Sequence, residues 1–191
     1  MSLLDSVISE LASGDLKIID LTETLREDYP AISLPPEFEQ AWAFKKEVIS
    51  RYDEKGPMWF WHNISVSEHT GTHFDAPIHW ISGKDLPNNT VDTIPVEDFI
   101  APACVVDCSA EVAHDRDFLL TKDFLLKWEE KYGLIPSGSW LFMRSDWRKI
   151  ADPENFANIQ EDGAHHPGPD GECVKWMIEE RDVIGFGTEC I

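Results

Sequence analysis

Long apolar stretches are missing from this 191-residue sequence. No uninterrupted apolar run approaches the roughly 20 residues that a bilayer-spanning helix needs. Basic residues are scarce as well, with 16 Lys and Arg against 36 Asp and Glu, and the formal net charge is −20. A chain this acidic is poorly suited to neutralising phosphates, so we expect neither nucleic acid nor a membrane as a partner.

Cysteine is sparse too, and none of the four residues forms a C-x-x-C pair. They are Cys104, Cys108, Cys173 and Cys190. The sequence starts without the basic segment and apolar run of a secretory signal. We therefore expect free thiols, mostly small buried hydrophobes, in a protein of the reducing cytoplasm.

Apolar residues make up 42% of the chain and include ten Phe and eight Trp. That supply can fill a substantial core, and the length is that of one domain. We expect a single domain over residues 1–191, without internal repeats.

Periodicity and capping residues predict the regular elements. Helices are expected at 2–11, 121–132 and 170–181, and strands at 16–22, 59–67, 103–107, 140–144 and 183–187. Residues 23–58 read as a long irregular segment of the kind that forms a lid or binding loop, or that contains a helix at 38–52.

The most distinctive stretch runs from residue 67 to residue 80. Within eleven residues it contains His69, His73, Asp75 and His79, side chains well suited to hold a divalent metal and to move protons beside it. Single histidines are commonly surface residues with ordinary hydrogen bonds, but four such groups this close together indicate a site.

Glycine and proline in this stretch disfavour a helix. An extended segment would project alternate residues to one side. His73, Asp75, Pro77 and His79 would project to one side, and the apolar set that would face the core on the other side is Phe74, Ala76, Ile78 and Trp80. Gly71 permits the turn that brings His69 to the same point, because glycine tolerates positive φ.

The segment His69-Thr-Gly-Thr-His73-Phe-Asp75-Ala-Pro-Ile-His79 resembles the HxGTHxDxPxH signature of the metal-dependent cyclase family, which includes bacterial kynurenine formamidases and isatin hydrolases. The resemblance implies that His69, His73 and Asp75 bind the metal and that His79 is the catalytic base and proton shuttle. It also implies an α/β (α+β) fold, a swivelling β/β/α domain with a mixed sheet and flanking helices, and a homodimer.

Family members usually continue past the strand that ends here at Gly187, and in two-metal members the continuation adds a further His and Glu. The sequence therefore predicts a centre with one divalent ion. Either the chain is a partial form, lacking the family's C-terminal segment, or it has no second site. Mn²⁺ and Zn²⁺ both suit two imidazoles and a carboxylate.

Aromatic residues precede the motif, and a His pair follows it far along the chain. Trp59, Phe60 and Trp61 could form the wall of a pocket for an aromatic substrate or could pack in the core. His165 and His166 lie in a Pro/Gly-rich loop, and His166 is the candidate to orient a substrate carbonyl, with a surface position as the alternative.

A site with two imidazoles and one carboxylate leaves coordination positions open, as in catalytic metal centres. Such a centre makes hydroxide available near neutral pH, and His79 can carry the proton to a leaving nitrogen. We expect hydrolysis of a small cyclic amide fused to an aromatic ring, with isatin to isatinate as the leading reaction. The alternatives are an arylformamidase acting on N-formylkynurenine, a non-catalytic metal-binding homologue and a structural subunit without metal.

Overall fold

The computed structural model describes residues 2–150 and 152–190. Within these residues the strands are β1 (Lys45–Asp53), β2 (Gly56–Ser65), β3 (Ala103–Asp107), β4 (Leu119–Leu120), β5 (Trp140–Arg144), β6 (Ile159–Gln160), β7 (Gly163–Ala164), β8 (Gly168–Pro169) and β9 (Gly185–Gly187). The α-helices are α1 (Leu3–Ser13), α2 (Ser109–His114), α3 (Lys122–Tyr132), α4 (Pro153–Ala157) and α5 (Gly171–Arg181). The remaining helical turns are short 3₁₀ segments, at Pro77–His79, Ile81–Gly83, Val91–Thr93, Val96–Phe99 and Trp147–Lys149.

A parallel sheet in the order β3-β5-β9 forms the centre of the fold. Alternate residues of its strands, among them Val106, Leu141 and Met143, are buried on one face, as the period of two requires. That face packs against Leu125 of α3 and Trp176 of α5 in the hydrophobic core. The expected mixed α+β class is confirmed, with the strands divided among several small sheets and flanked by helices.

The segment before the motif is an antiparallel hairpin of β1 and β2. The predicted strand at 59–67 is confirmed as most of β2, but the helix considered at 38–52 is wrong. Asp53 pairs with Gly56 across a two-residue turn, a hairpin arrangement that the prolines nearby obscured. Ser50 is buried and donates a hydrogen bond to the carbonyl oxygen of Trp59, which ties the two strands.

The predicted strand at 16–22 is also wrong, because the structure gives these residues no regular element. Ile18, Ile19 and Leu21 remain 83%, 72% and 82% exposed. Residues with high β propensity form a strand only when a neighbouring strand pairs with them. None of the described strands pairs with this segment.

The helices predicted from capping residues are confirmed. Ser2 and Asp5 form a capping box at the start of α1, and Gly14 ends it in the left-handed conformation. Thr121 caps α3 and Gly133 follows its last residue.

Helix α5 is present as predicted. Cys173, Trp176 and Met177 are buried on its inward face, whereas Val174 and Ile178 are exposed. The free cysteines are confirmed, with three of the four buried. None of the helices in the described ranges combines the length and apolar character needed to cross a bilayer.

Candidate metal centre

The motif lies in the loop that follows β2, and its first bend depends on Gly71. This glycine has φ +68°, and a Cβ placed on it would lie 2.7 Å from Cδ2 of Leu25. Both the backbone angle and the close side chain exclude a larger residue without adjustment. The bend returns the chain so that His69 lies near the residues that follow it.

His69, Asp75 and His79 come together after this bend. Nδ1 of His69 is 2.7 Å from Oδ1 of Asp75, and the rings of His69 and His79 have centroids 4.1 Å apart. One ligand atom from each of these three residues lies within 4.8 Å of those of the other two. Three of the four motif residues thus lie together, and this group contains His79 instead of the predicted ligand His73.

His73 reaches the same carboxylate from another side. Its Nδ1 is 2.8 Å from the carbonyl oxygen of Gly71, and a carbonyl only accepts, so Nδ1 carries the proton. Nε2 is then the ring atom left for another partner, and it lies 3.4 Å from Oδ1 of Asp75.

This donor set fits a divalent cation. Two or three imidazoles and one carboxylate are ligands that Zn²⁺ and Mn²⁺ accept, and the bond from His73 to the Gly71 carbonyl is the kind of outer contact that fixes a ligand ring. The side chain of Asp75 is 40% exposed and that of His73 is 30% exposed. Solvent or a small molecule can therefore reach the point where the polar tips meet.

The extended form predicted for the end of the motif is wrong, because Pro77–His79 form a 3₁₀ turn. This turn brings His79 back over His69. Of the four residues expected to face the core, Ala76 alone is buried. Phe74 packs edge-on against Phe99 and Trp140 but is 37% exposed, and Ile78 and Trp80 are exposed as well.

Comparison with known proteins gives a consistent picture of the chain. Residues 19–191 match the model of the family described as "Putative cyclase". The chain belongs to the Cyclase family. Isatin hydrolase from Roseibium aggregatum is 42% identical over 100% of this chain and 73% of its own length. Kynurenine formamidase from Erythrobacter litoralis is 31% identical over 88% of this chain and 74% of its own length.

Solved structures of isatin hydrolases resemble this chain over its whole length. Isatin hydrolase A from Ralstonia solanacearum superimposes with a TM-score of 0.96 at 51% identity, covering 100% of this chain and 73% of that one. An isatin hydrolase bound to the product analogue thioisatinate gives a TM-score of 0.94 at 40% identity, with 100% and 74% coverage. The fold around the motif is therefore that of the isatin hydrolases.

The three aromatic residues that were candidates for the wall of a substrate pocket lie on β2. Trp59, Phe60 and Trp61 are 52%, 46% and 53% exposed, so they are not core residues. Phe60 contacts His62 edge-on, with ring centroids 4.7 Å apart, as expected for two residues on one face of a strand. Their role as substrate contacts stays a prediction.

The two histidines of the Pro/Gly-rich loop differ in their surroundings. His166 packs against Trp147, and its Nε2 is 3.3 Å from the carbonyl oxygen of Phe156. Burial lowers the pKa of His166 below its usual value. His165 instead lies between two carboxylates. The contacts of the two rings therefore do not include the cluster of His69 and Asp75. Substrate orientation by His166 stays a prediction.

Sequence reasoning missed the residues that contact the loop at 69–79, here called the metal loop, from the rest of the chain. Glu23 donates its backbone N–H to Oγ1 of Thr72, and Arg148 pairs with the side chain of Glu23. These residues are 49 and 125 positions apart from their partners, and neither pair has a local sequence signal that would reveal it.

Proposed function

We propose that this protein is a metal-dependent amidohydrolase that opens isatin to isatinate. The observation that carries the proposal is the convergence of His69, Asp75 and His79 in a chain whose whole length matches isatin hydrolases. In the reaction the oxygen of water joins the amide carbon, the carbon–nitrogen bond breaks, and the ring nitrogen takes up a proton.

The proposed ligands are His69, His73 and Asp75. The bond from Nδ1 of His73 to the Gly71 carbonyl supports its role, because it leaves Nε2, 3.4 Å from Oδ1 of Asp75, as the ring atom available to a cation. When bound, the ion supplies Lewis acidity that polarises a carbonyl and lowers the pKa of water toward neutrality. We propose one ion, either Mn²⁺ or Zn²⁺, since both accept this donor set.

His79 is proposed to accept and deliver the proton. The side chain lies at the exposed end of the cluster, with its ring against those of His69 and Trp80. An imidazole has a pKa near neutrality, so it can take a proton from water and return it to the leaving nitrogen. His79 also lies close enough to Asp75 to be a ligand, and a variant at this position separates the two roles.

The substrate is proposed to bind against aromatic side chains. Trp59, Phe60 and Trp61 present large exposed rings on β2, and exposed aromatic surface of this extent is typical of binding sites. His166 is proposed to orient a substrate oxygen. Isatin offers a flat ring for stacking and two adjacent carbonyls for polar contacts.

A second candidate substrate is N-formylkynurenine. The 31% identity to a kynurenine formamidase supports it, and both compounds present an amide beside a benzene ring. Isatin remains the better supported candidate because the isatin hydrolase matches the entire chain at higher identity.

We also propose that the protein is a cytoplasmic homodimer. The four free cysteines support a reducing compartment. Exposed apolar residues on α1, among them Leu4 and Ile8, support burial against a second copy.

The substrate proposal is tested by following absorbance with the Mn²⁺- or Zn²⁺-loaded protein. We expect turnover of isatin that exceeds turnover of N-formylkynurenine by at least about 10-fold in kcat/KM, a difference of about 1.4 kcal/mol in transition-state binding. The reverse preference would make the protein a formamidase, and no turnover of either compound would contradict the amidohydrolase proposal.

A further inference from the structure

A short N-terminal segment lies against the outside of the metal loop. The backbone N–H of Glu23 donates to Oγ1 of Thr72 at 2.9 Å. Two residues further on, the side chain of Leu25 occupies the space beside Gly71 where a Cβ would be. The segment therefore contacts Gly71 and Thr72, two of the three residues between the ligand candidates His69 and His73.

The side chain of Arg148 connects this segment to the core. Nε of Arg148 is 3.3 Å from Oε1 of Glu23. Arg148 belongs to the 3₁₀ turn that follows β5, and the adjacent Trp147 is 1% exposed with its Nε1–H bonded to the Phe156 carbonyl. The guanidinium thus projects from a rigid part of the molecule toward a segment that has no regular structure of its own.

We infer that Arg148 is a positioning residue for the metal centre, acting through Glu23 and Thr72 to hold the loop that carries His69 and His73. The inference rests on the proposed function for its catalytic consequence, but its structural part stands on the contacts alone. Outer residues that orient metal ligands typically change metal affinity by about 10- to 100-fold when they are removed.

Two other roles for Arg148 predict different results. A purely stabilising ion pair would shift thermal unfolding and leave the site unchanged, but the side chains of Arg148 and Glu23 are 59% and 36% exposed, and such pairs add little stability. A purely electrostatic role would oppose cation binding, so loss of the positive charge would tighten it. Positioning alone predicts weaker metal binding when the charge is lost.

The test uses Arg148→Gln with Arg26→Gln as the matched control. Arg26 is 55% exposed and pairs with Asp28 at 3.1 Å on the same segment, without a contact to the metal loop among the described hydrogen bonds. We measure the Zn²⁺ dissociation constant by chelator competition and hydrogen exchange at residues 69–79 in metal-free protein.

We expect Arg148→Gln to raise the dissociation constant about 10-fold and to speed exchange in the loop, while Arg26→Gln stays within about twofold of the parent. Glu23→Gln should speed exchange in the loop to a similar extent, and exchange in the double variant should be no faster than in either single variant. This second variant also serves if Arg148→Gln folds poorly.

Unchanged or tighter Zn²⁺ binding together with unchanged exchange would overturn the inference. Neither readout depends on substrate turnover. A parent protein that fails to hydrolyse isatin would therefore contradict the proposed function, whereas the exchange measurement would still decide the role of Arg148.

Discussion

Asp75 is the carboxylate on which the imidazoles of the motif converge. Its Oδ1 lies 2.7 Å from His69 and 3.4 Å from His73, and His79 is close enough to join the same group. The proposed function gives these three imidazoles two ligand positions and one base position. The proposed assignment makes His73 a ligand and His79 the base.

Alanine variants at the two positions separate these roles. We expect His73→Ala to lose bound metal, and His79→Ala to keep it while kcat falls by about 10²- to 10⁴-fold, the usual range for a general base. Elemental analysis and isatin turnover measure the two quantities.

His114→Ala is the control for these variants, because His114 is an exposed residue at the end of α2. It should change neither quantity. Loss of metal from His79→Ala would place His79 among the ligands and leave the proton carrier to be found elsewhere.

His165 contributes to stability through two carboxylates. Nδ1 lies 2.8 Å from Asp117 and Nε2 lies 3.0 Å from Asp162, and these bonds raise the pKa of His165. Because the pKa is raised in the folded state, the stabilisation by His165 is complete below the unfolded-state pKa of about 6.5. It is lost as pH rises through the folded-state pKa.

Substitution of His165 tests this pH dependence. The free energy of unfolding, measured in urea between about pH 5.5 and pH 8.5, should fall less steeply above pH 6.5 in His165→Gln than in the parent protein. Asp162→Asn should remove a smaller part, since the bond to Asp117 remains. The same slope in His165→Gln and the parent protein would contradict this account.

At the scale of elements, Gly71 decides whether the metal loop can bend. Gly71→Ala should destabilise the protein by at least about 2 kcal/mol, because left-handed backbone costs an alanine about 1 kcal/mol and its Cβ would also press on Leu25. The free energy of unfolding measures the effect.

Gly138→Ala is the matched control, with φ +70° and no heavy atom within 4 Å of the added Cβ. It should cost only the backbone part, about 1 kcal/mol. Equal losses for the two variants would show that contact with Leu25 is unimportant for the bend.

Local signals were sufficient to predict the elements that carry their own start and stop residues. Ser2 and Gly14 delimit α1, and Thr121 and Gly133 delimit α3. Asp152 followed by Pro153 is a comparable signal for the start of α4.

Elements that depend on distant partners were harder to predict. β1 is a strand because β2 pairs with it, and residues 16–22 are not a strand because none of the described strands pairs with them. Pairing partners of this kind are not encoded in a short window of sequence.

The metal motif was predictable because all of its residues lie within eleven positions. Its spacing indicates a site, but the direction of each ring depends on the Gly71 bend and the 3₁₀ turn at Pro77–His79. The contact from Arg148 to Glu23 joins residues 125 positions apart, so only the folded chain reveals it.

At the scale of the whole molecule, exposed apolar surface supports the proposed dimer. Leu3, Leu4 and Ile8 of α1 are 84%, 67% and 56% exposed, and the β1–β2 hairpin presents exposed aromatic residues. An isolated eleven-residue helix is marginal in water, so α1 gains stability from a surface to cover.

Charge on the apolar side of α1 should disrupt the proposed dimer. We expect the parent to sediment as a dimer and Ile8→Glu to shift it toward monomer by at least about 10-fold in dissociation constant, since a charge cannot be buried cheaply. Ser9→Glu, on the opposite side of the helix, should have little effect. A monomeric parent would contradict the proposal.

Removal and return of the metal tests the central claim most directly. Protein stripped with a chelator and dialysed should fail to hydrolyse isatin, and stoichiometric Mn²⁺ or Zn²⁺ should restore turnover with about one ion per chain bound. Undiminished turnover in protein shown by elemental analysis to be metal-free, or no turnover after an ion has bound, would contradict a metal-dependent amidohydrolase built on His69, Asp75 and their neighbouring imidazoles.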